Sequence, residues 1–190
     1  MNLVIDPGHG GPDTGAVGHG IVESEMTWAL ASKLAGAAWV GVGGKLSYAM
    51  TRTEKPEARV GLTERGRRSD SFAADLVIAI HVNASIDPRS SGLMTFYWPG
   101  SLDGFRVAKA IHAARPVALN HRPDPYAATI EAWPRVRNVL RVHKAPAVLV
   151  EVGFLTNELE AANLKDPGVQ DEIIRALLAG IEEFSKAREV

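Results

Sequence analysis

The run Leu76-Val77-Ile78-Ala79-Ile80 offers no polar residue for a wet face, and it leads directly into His81-Val82-Asn83. A strand without alternation belongs in a sheet covered on both sides, which is the habit of parallel sheets in α/β proteins. Leu3-Val4-Ile5 and the stretch from Ala147 to Val152 read the same way. Leu46 to Thr51 and Leu93 to Trp98 supply further strands. Between them the apolar period becomes helical. Met26, Leu30 and Leu34 follow Glu23, helices are expected over about 60–74 and 102–119, and Val169, Ile173, Leu177, Ile181 and Phe184 mark a terminal amphipathic helix. The alternation predicts an α/β fold: a single domain with a central, mostly parallel twisted sheet flanked by helices on both faces.

Bulk properties narrow the function. At 190 residues the chain can bury a sizeable core in one domain. A net charge of −1 gives no global basic field, so nucleic acid is excluded as an expected partner. The absence of cysteine removes disulfides, thiolate zinc sites and cysteine nucleophiles. Leu3-Val4-Ile5 already reads as the first strand, leaving no room for a signal peptide in this chain. No apolar run approaches the roughly 18 residues that span a bilayer, so no membrane insertion is expected. A monomer is expected.

Residues 10–22 hold Gly10, Gly11, Gly15, Gly18 and Gly20 and read as a loop. They lack the lysine of a phosphate-binding P-loop. His9 lies just past the first strand, His81 just past the buried run, and Glu151 near the end of the last central strand. In open α/β sheets ligands gather beyond the carboxyl ends of the strands. Parallel strands would therefore bring these three side chains together, with Glu23 in reach from the first turn of its helix. Glu25 competes with Glu23, but the two face nearly opposite directions on a helix. A carboxylate inside Val148-Leu149-Val150-Glu151-Val152 carries a desolvation penalty unless it is paired, liganded or used. Two imidazoles and a carboxylate suit a catalytic zinc ion with an open position, and a further glutamate suits a proton carrier. Metal-assisted hydrolysis is the expected reaction class.

At these residues the chain resembles the zinc-dependent N-acetylmuramoyl-L-alanine amidases of bacterial autolysins and phage endolysins (the type 3 amidases). That family's D-P-G-H-G-G opening stands intact at Asp6–Gly11, and Gly20-Ile21-Val22-Glu23-Ser24-Glu25-Met26 matches its helix start. Thr51-Arg52, Glu64-Arg65, Ala79-Ile80-His81-Val82-Asn83 and Val148–Asn157 follow in family order. Ala79 stands where serine is common and Ser24 where lysine is common. The resemblance implies one zinc ion on His9, Glu23 and His81, Glu151 as the catalytic glutamate, and peptidoglycan as substrate. The bond would be the amide between N-acetylmuramic acid and L-alanine of the stem peptide. Residues 1–190 would form one zinc-dependent amidase catalytic domain without a separate wall-binding domain. A phage-type endolysin, made in the host cytoplasm and released at lysis, fits that organisation, and so does a fragment of a longer autolysin. Rival readings are a zinc peptidase or amidohydrolase cutting another amide, and a non-catalytic wall-binding module. No inhibitory helix is evident, so an open groove is expected. Arg52 and Arg65 read as structural ion pairs. Asn83 and Asn157 read as turn residues or as groups that orient ligands or substrate. Tyr126 and Trp133, in the irregular stretch 120–138, read as packing residues or as stacking platforms for sugar or peptide.

Overall fold

The computed structural model describes residues 1–41, 46–55, 58–119 and 134–188. Its central sheet holds β1 (Asn2–Pro7), β4 (Ser47–Met50), β5 (Leu76–Asn83), β6 (Met94–Tyr97) and β7 (Ala147–Phe154). The spatial order is β4-β1-β5-β7-β6, with β6 alone antiparallel. From β1 the chain passes through helix α1 (Glu23–Gly41) to β4 on one side. It then crosses through α2 (Leu62–Ser71) to β5 on the other. Right-handed crossovers running in opposite directions require helices on opposite faces of the sheet. The crevice where the direction reverses lies at the carboxyl ends of β1 and β5.

The unbroken apolar runs are explained by this sandwich. Successive residues of a strand point to opposite faces. Leu3, Ile5, Ile78, Ile80, Val148 and Val150 pack into one core. That core is closed by Leu30 and Leu34 of α1, Val107 and Ile111 of α3 (Leu102–Ala113), and Ile173, Leu177 and Ile181 of α6 (Pro167–Lys186). Val4, Val77, Ala79 and Leu149 face a second, smaller core, closed by Val136, Val139 and Leu140 of α4 (Pro134–Arg141) with Leu62 of α2. Both faces are covered, as the sequence implies.

Three elements depart from the expected pattern. The helix expected over 102–119 stops at Ala113 and resumes only as a single 3-10 turn, Val117–Leu119. Pro116 supplies the break, since it has no N–H and disfavours helical geometry in the residue before it. The second departure is α4, which begins inside the stretch read as irregular. Pro134 is its first residue, a position proline favours. The third is α5 (Glu158–Lys165), capped by Asn157, whose side chain accepts from the Glu160 N–H at 3.1 Å. The glycine loop also contains a small hairpin, β2 (Val17–Gly18) with β3 (Ile21–Val22). Among the described residues, no helix is long and apolar enough to cross a membrane.

Packing of α2 sets a sharp steric test. A Cβ built on Gly66 would lie 2.3 Å from the Val142 carbonyl oxygen, a backbone atom that cannot swing aside. Alanine is favoured over glycine in a helix by about 1 kcal/mol, but overpacking costs about 1–3 kcal/mol. Gly66→Ala is therefore expected to destabilise the protein in urea unfolding. A stabilised variant would show that α2 does not seat as described.

Candidate metal centre

β1 ends in Asp6-Pro7, and the four residues that follow turn sharply across the end of the sheet. His9 has φ +58°, a left-handed conformation uncommon for a side chain of its size. Two buried arginines hold it there. Arg65 donates to the carbonyls of Pro7 at 2.7 Å and His9 at 2.5 Å, and pairs with the Asp6 carboxylate at 2.6 Å. Arg52 donates to Pro7 O at 3.1 Å, Gly8 O at 3.2 Å and Ser24 O at 2.6 Å. Arg65 is thus the structural ion pair the sequence suggests. Arg52 is not one: its described partners are mainly backbone carbonyls, and burial beside Arg65 pulls its own ionisation down to about 10. Thr51 completes the cluster by donating to Asp6.

Asp6 tests the balance of forces in this knot. Burial opposes its charge, but Arg65, His143 and the Thr51 hydroxyl outweigh burial and hold the carboxyl below its ordinary value. A group with a depressed folded value stabilises the fold above its unfolded value.

The register then builds the site. His81 of β5 pairs directly with Glu151 of β7. Both extend the face that carries Ala79 and Leu149, towards α2 and α4. Glu23 opens α1 and is buried, whereas Glu25 is exposed, which decides between the two in favour of Glu23. Its carboxylate lies 3.2 Å from His9 Nε2 and 3.1 Å from His81 Nδ1. Its two oxygens also accept the backbone N–H groups of Ala16 at 2.9 Å and Val82 at 3.1 Å. Burial opposes the charge on Glu23, but the two histidines overcome it and hold the group well below the usual carboxylate range. The donor atoms of His9, Glu23 and His81 lie within 4.8 Å of one another, a group that could hold a metal ion.

Close packing leaves this group little freedom. A Cβ on Gly8 would come within 2.5 Å of the His81 ring, and one on Gly15 within 2.5 Å of Glu23 Oε2. The rings of His9 and His81 meet edge to face, 5.2 Å apart. His9 Nδ1 contacts Asp13 Oδ1 at 2.9 Å. With the proton on Nδ1, the Nε2 beside Glu23 presents its lone pair, the form that can bind a metal ion. Burial tends to lower the His9 value, yet Glu23 and Asp13 together raise it.

Glu151 lies outside that donor group but lines the same cavity, which has a volume of about 790 Å³. Burial, only partly offset by His81, raises its carboxyl to about 7. Its Oε2 is buried without a hydrogen-bond partner among the described residues. Asn83 also lines the cavity, whereas Asn157 works as a helix cap and donates to Pro88 O. Tyr126 and Trp133 lie outside the described residues. The other described histidines, His19, His112 and His143, join no metal-binding group. Asp13 and Arg59 were not singled out in the sequence. An aspartate among glycines reads as a turn former, and only its spacing from His9 hints otherwise.

Comparison with known proteins covers nearly the whole chain. A family model described as N-acetylmuramoyl-L-alanine amidase matches residues 3–183. The germination-specific N-acetylmuramoyl-L-alanine amidase of Bacillus subtilis (strain 168) is 32% identical over 194 residues, covering 96% of this chain and 78% of that protein. The endolysin of Bacillus phage SPP1 is 27% identical over 188 residues, covering 95% of this chain and 64% of the phage protein. The catalytic domain of CwlV, an N-acetylmuramoyl-L-alanine amidase from Bacillus (Paenibacillus) polymyxa var. colistinus, superposes with a TM-score of 0.80 at 27% identity. The match covers 98% of this chain and 99% of that one.

Two outcomes follow from this geometry. Asp6→Asn strands Arg65 and is expected to cost about 3–5 kcal/mol at neutral pH. The wild-type contribution of Asp6 is complete above about pH 4 and disappears as pH falls through the depressed folded value. The variant's stability curve should accordingly be flatter on the acid side, as read by urea unfolding at several pH values. Asp13→Asn is expected to weaken divalent-metal binding about 10–100-fold, measured by chelator competition, with little change in melting temperature.

Proposed function

Because the chain belongs to the N-acetylmuramoyl-L-alanine amidase family, we propose that it hydrolyses the muramoyl–L-alanine amide of peptidoglycan with one zinc ion. His9, Glu23 and His81 hold the ion, and Glu151 carries the proton. The observation that supports this most is the meeting of that donor group and a buried, unsatisfied carboxylate in one cavity. Two imidazoles and one carboxylate are a donor set that zinc accepts, with a position left open for a reactant. Bound there, zinc supplies Lewis acidity to the amide carbonyl and to the attacking water.

The protein's own groups do the rest. Asp13 and the backbone N–H groups of Ala16 and Val82 fix the orientation of His9 and Glu23 before substrate arrives. Glu151 takes the proton of the attacking water and returns it to the departing amine of L-alanine. The raised value of about 7 suits both transfers, because neither protonation state is strongly disfavoured near neutral pH. A neighbouring cation opposes the effect of burial and favours the ionised, accepting form. The backbone of β7 holds the carboxylate opposite His81, so little reorganisation is needed as the reaction proceeds.

The test is mass spectrometry of purified peptidoglycan digested by the zinc-loaded protein. Stem peptides with a new L-alanine N-terminus are expected from the wild type. Glu151→Gln should lower turnover by at least about 10²-fold, the low end for a general acid–base group, while retaining stoichiometric zinc. Loss of zinc in that variant would instead make Glu151 a ligand, and cleavage elsewhere in the stem would overturn the assigned bond.

A further inference from the structure

The cavity is far larger than a metal ion and a water require, and its charges are unevenly distributed. Besides the metal group and Glu151, its lining includes Arg59, Val60, Leu62, Arg135, Asn138 and Val139. We propose that Arg59 and Arg135 form an anion-reading rim that selects stem peptides with a free carboxylate beside the scissile L-alanine. The inference rests on the amidase reading above and adds a substrate preference to it.

Three of the four carboxylates that line the cavity are already engaged, Glu151 being the exception. Asp6 pairs with Arg65, and Glu23 lies between His9 and His81. Asp13 contacts His9 through Oδ1 and Arg59 through Oδ2, the latter at 3.1 Å. Arg59 thus meets Asp13 through one edge of its guanidinium, at Nε. Its terminal nitrogens have no partner among the described residues, and the side chain is 68% exposed. That leaves a fork of donors beside the cavity, an arrangement suited to a carboxylate. Arg135 stands in the first turn of α4, exposed, and forms no ion pair with a described carboxylate. Two exposed cations thus line the same cavity from different elements. Arg135 should contribute the larger share, because Asp13 partly neutralises Arg59.

Substrate chemistry gives the rim its polarity. The N-acetylated sugars are uncharged, whereas the peptide side of the bond carries carboxylates. Arg59 is linked through Asp13 to His9, so a carboxylate at the rim lies a short peptide's length from an amide at the metal group. The peptide accordingly runs towards α2 and α4. Both arginines face solvent, so the gain is moderate and weakened by salt.

The experiment compares two soluble N-acetylmuramoyl tripeptides with the zinc-loaded protein. They differ only in a free carboxylate or a carboxamide on the residue after L-alanine. Wild type is expected to favour the acidic peptide about tenfold in kcat/KM, mostly through KM, with the ratio shrinking as salt rises. Arg135→Gln should bring the ratio within about twofold, and Arg135→Lys should keep part of it. Zinc content and melting temperature check that the variants remain folded. Calorimetric titration of the two released peptides into zinc-loaded Glu151→Gln protein should give the same ranking without turnover. Equal cleavage of both peptides by wild type, or an unchanged ratio in Arg135→Gln, would overturn the rim and leave the amidase standing. Cleavage of neither peptide at L-alanine would sink the amidase reading and the rim with it.

Discussion

Everything at the catalytic end of this sheet depends on the buried guanidinium of Arg65. It closes the end of β1 by holding Asp6 and the carbonyls of Pro7 and His9 at once. A buried ion pair of this kind is a weak source of net stability, since desolvation offsets most of the attraction. Its value here is geometric. His9 needs a left-handed backbone, which for a residue of its size costs on the order of 1–3 kcal/mol and persists only where the surroundings over-determine it. Arg65 and Arg52 provide that over-determination from opposite sides of the turn. A lysine could not reproduce it, because several carbonyls and a carboxylate must be met by one planar fork.

Much of this was legible in the chain before its fold, and the reason is periodic. Continuous apolar runs at 76–80 and 147–152 demand burial on both faces, and only a helix-covered parallel sheet satisfies several of them at once. Once the sheet is parallel, His9, His81 and Glu151 must fall near the same edge. Helical geometry allows only one of Glu23 and Glu25 to face the site, the resemblance picks Glu23, and the burial of one against the exposure of the other agrees. The missed features have a different character. Asp13, Arg59 and the carbonyl-binding role of Arg52 depend on contacts between segments distant in sequence or on a turn without period. Propensity also suggested one long helix over 102–119, where Pro116 interrupts it, and concealed α4 behind Pro134.

Glu160 shows the same limit inside the core. It is fully buried, and its carboxylate accepts from the Gly92 N–H at 2.6 Å and the Phe154 N–H at 2.7 Å. It ties the approach to β6 to the end of β7, three residues beyond Glu151. In the sequence it is one of three acidic or amide residues opening a short helix, and nothing in its period marks it as buried.

The division of labour between strands and loops follows from what each can hold still. Glu151 sits within a strand whose neighbours pair on both sides, so its distance from His81 is fixed by ladder geometry rather than by side-chain contacts. The proton transfer proposed for Glu151 benefits from that rigidity, because a misplacement of about 1 Å can cost 10²-fold in rate. Much of the rest of the cavity lining comes from the segment after β4 and from α2 and α4, where substitution disturbs no ladder. Reaction type is thereby held in the sheet, and preference among substrates is left to side chains that can change without moving the metal group. Among the described residues Asp13 links the two, since it touches both His9, a proposed ligand, and Arg59 of the proposed rim. Changes at Arg59 should consequently alter metal affinity as well as substrate preference, whereas changes at Arg135 should leave the metal untouched.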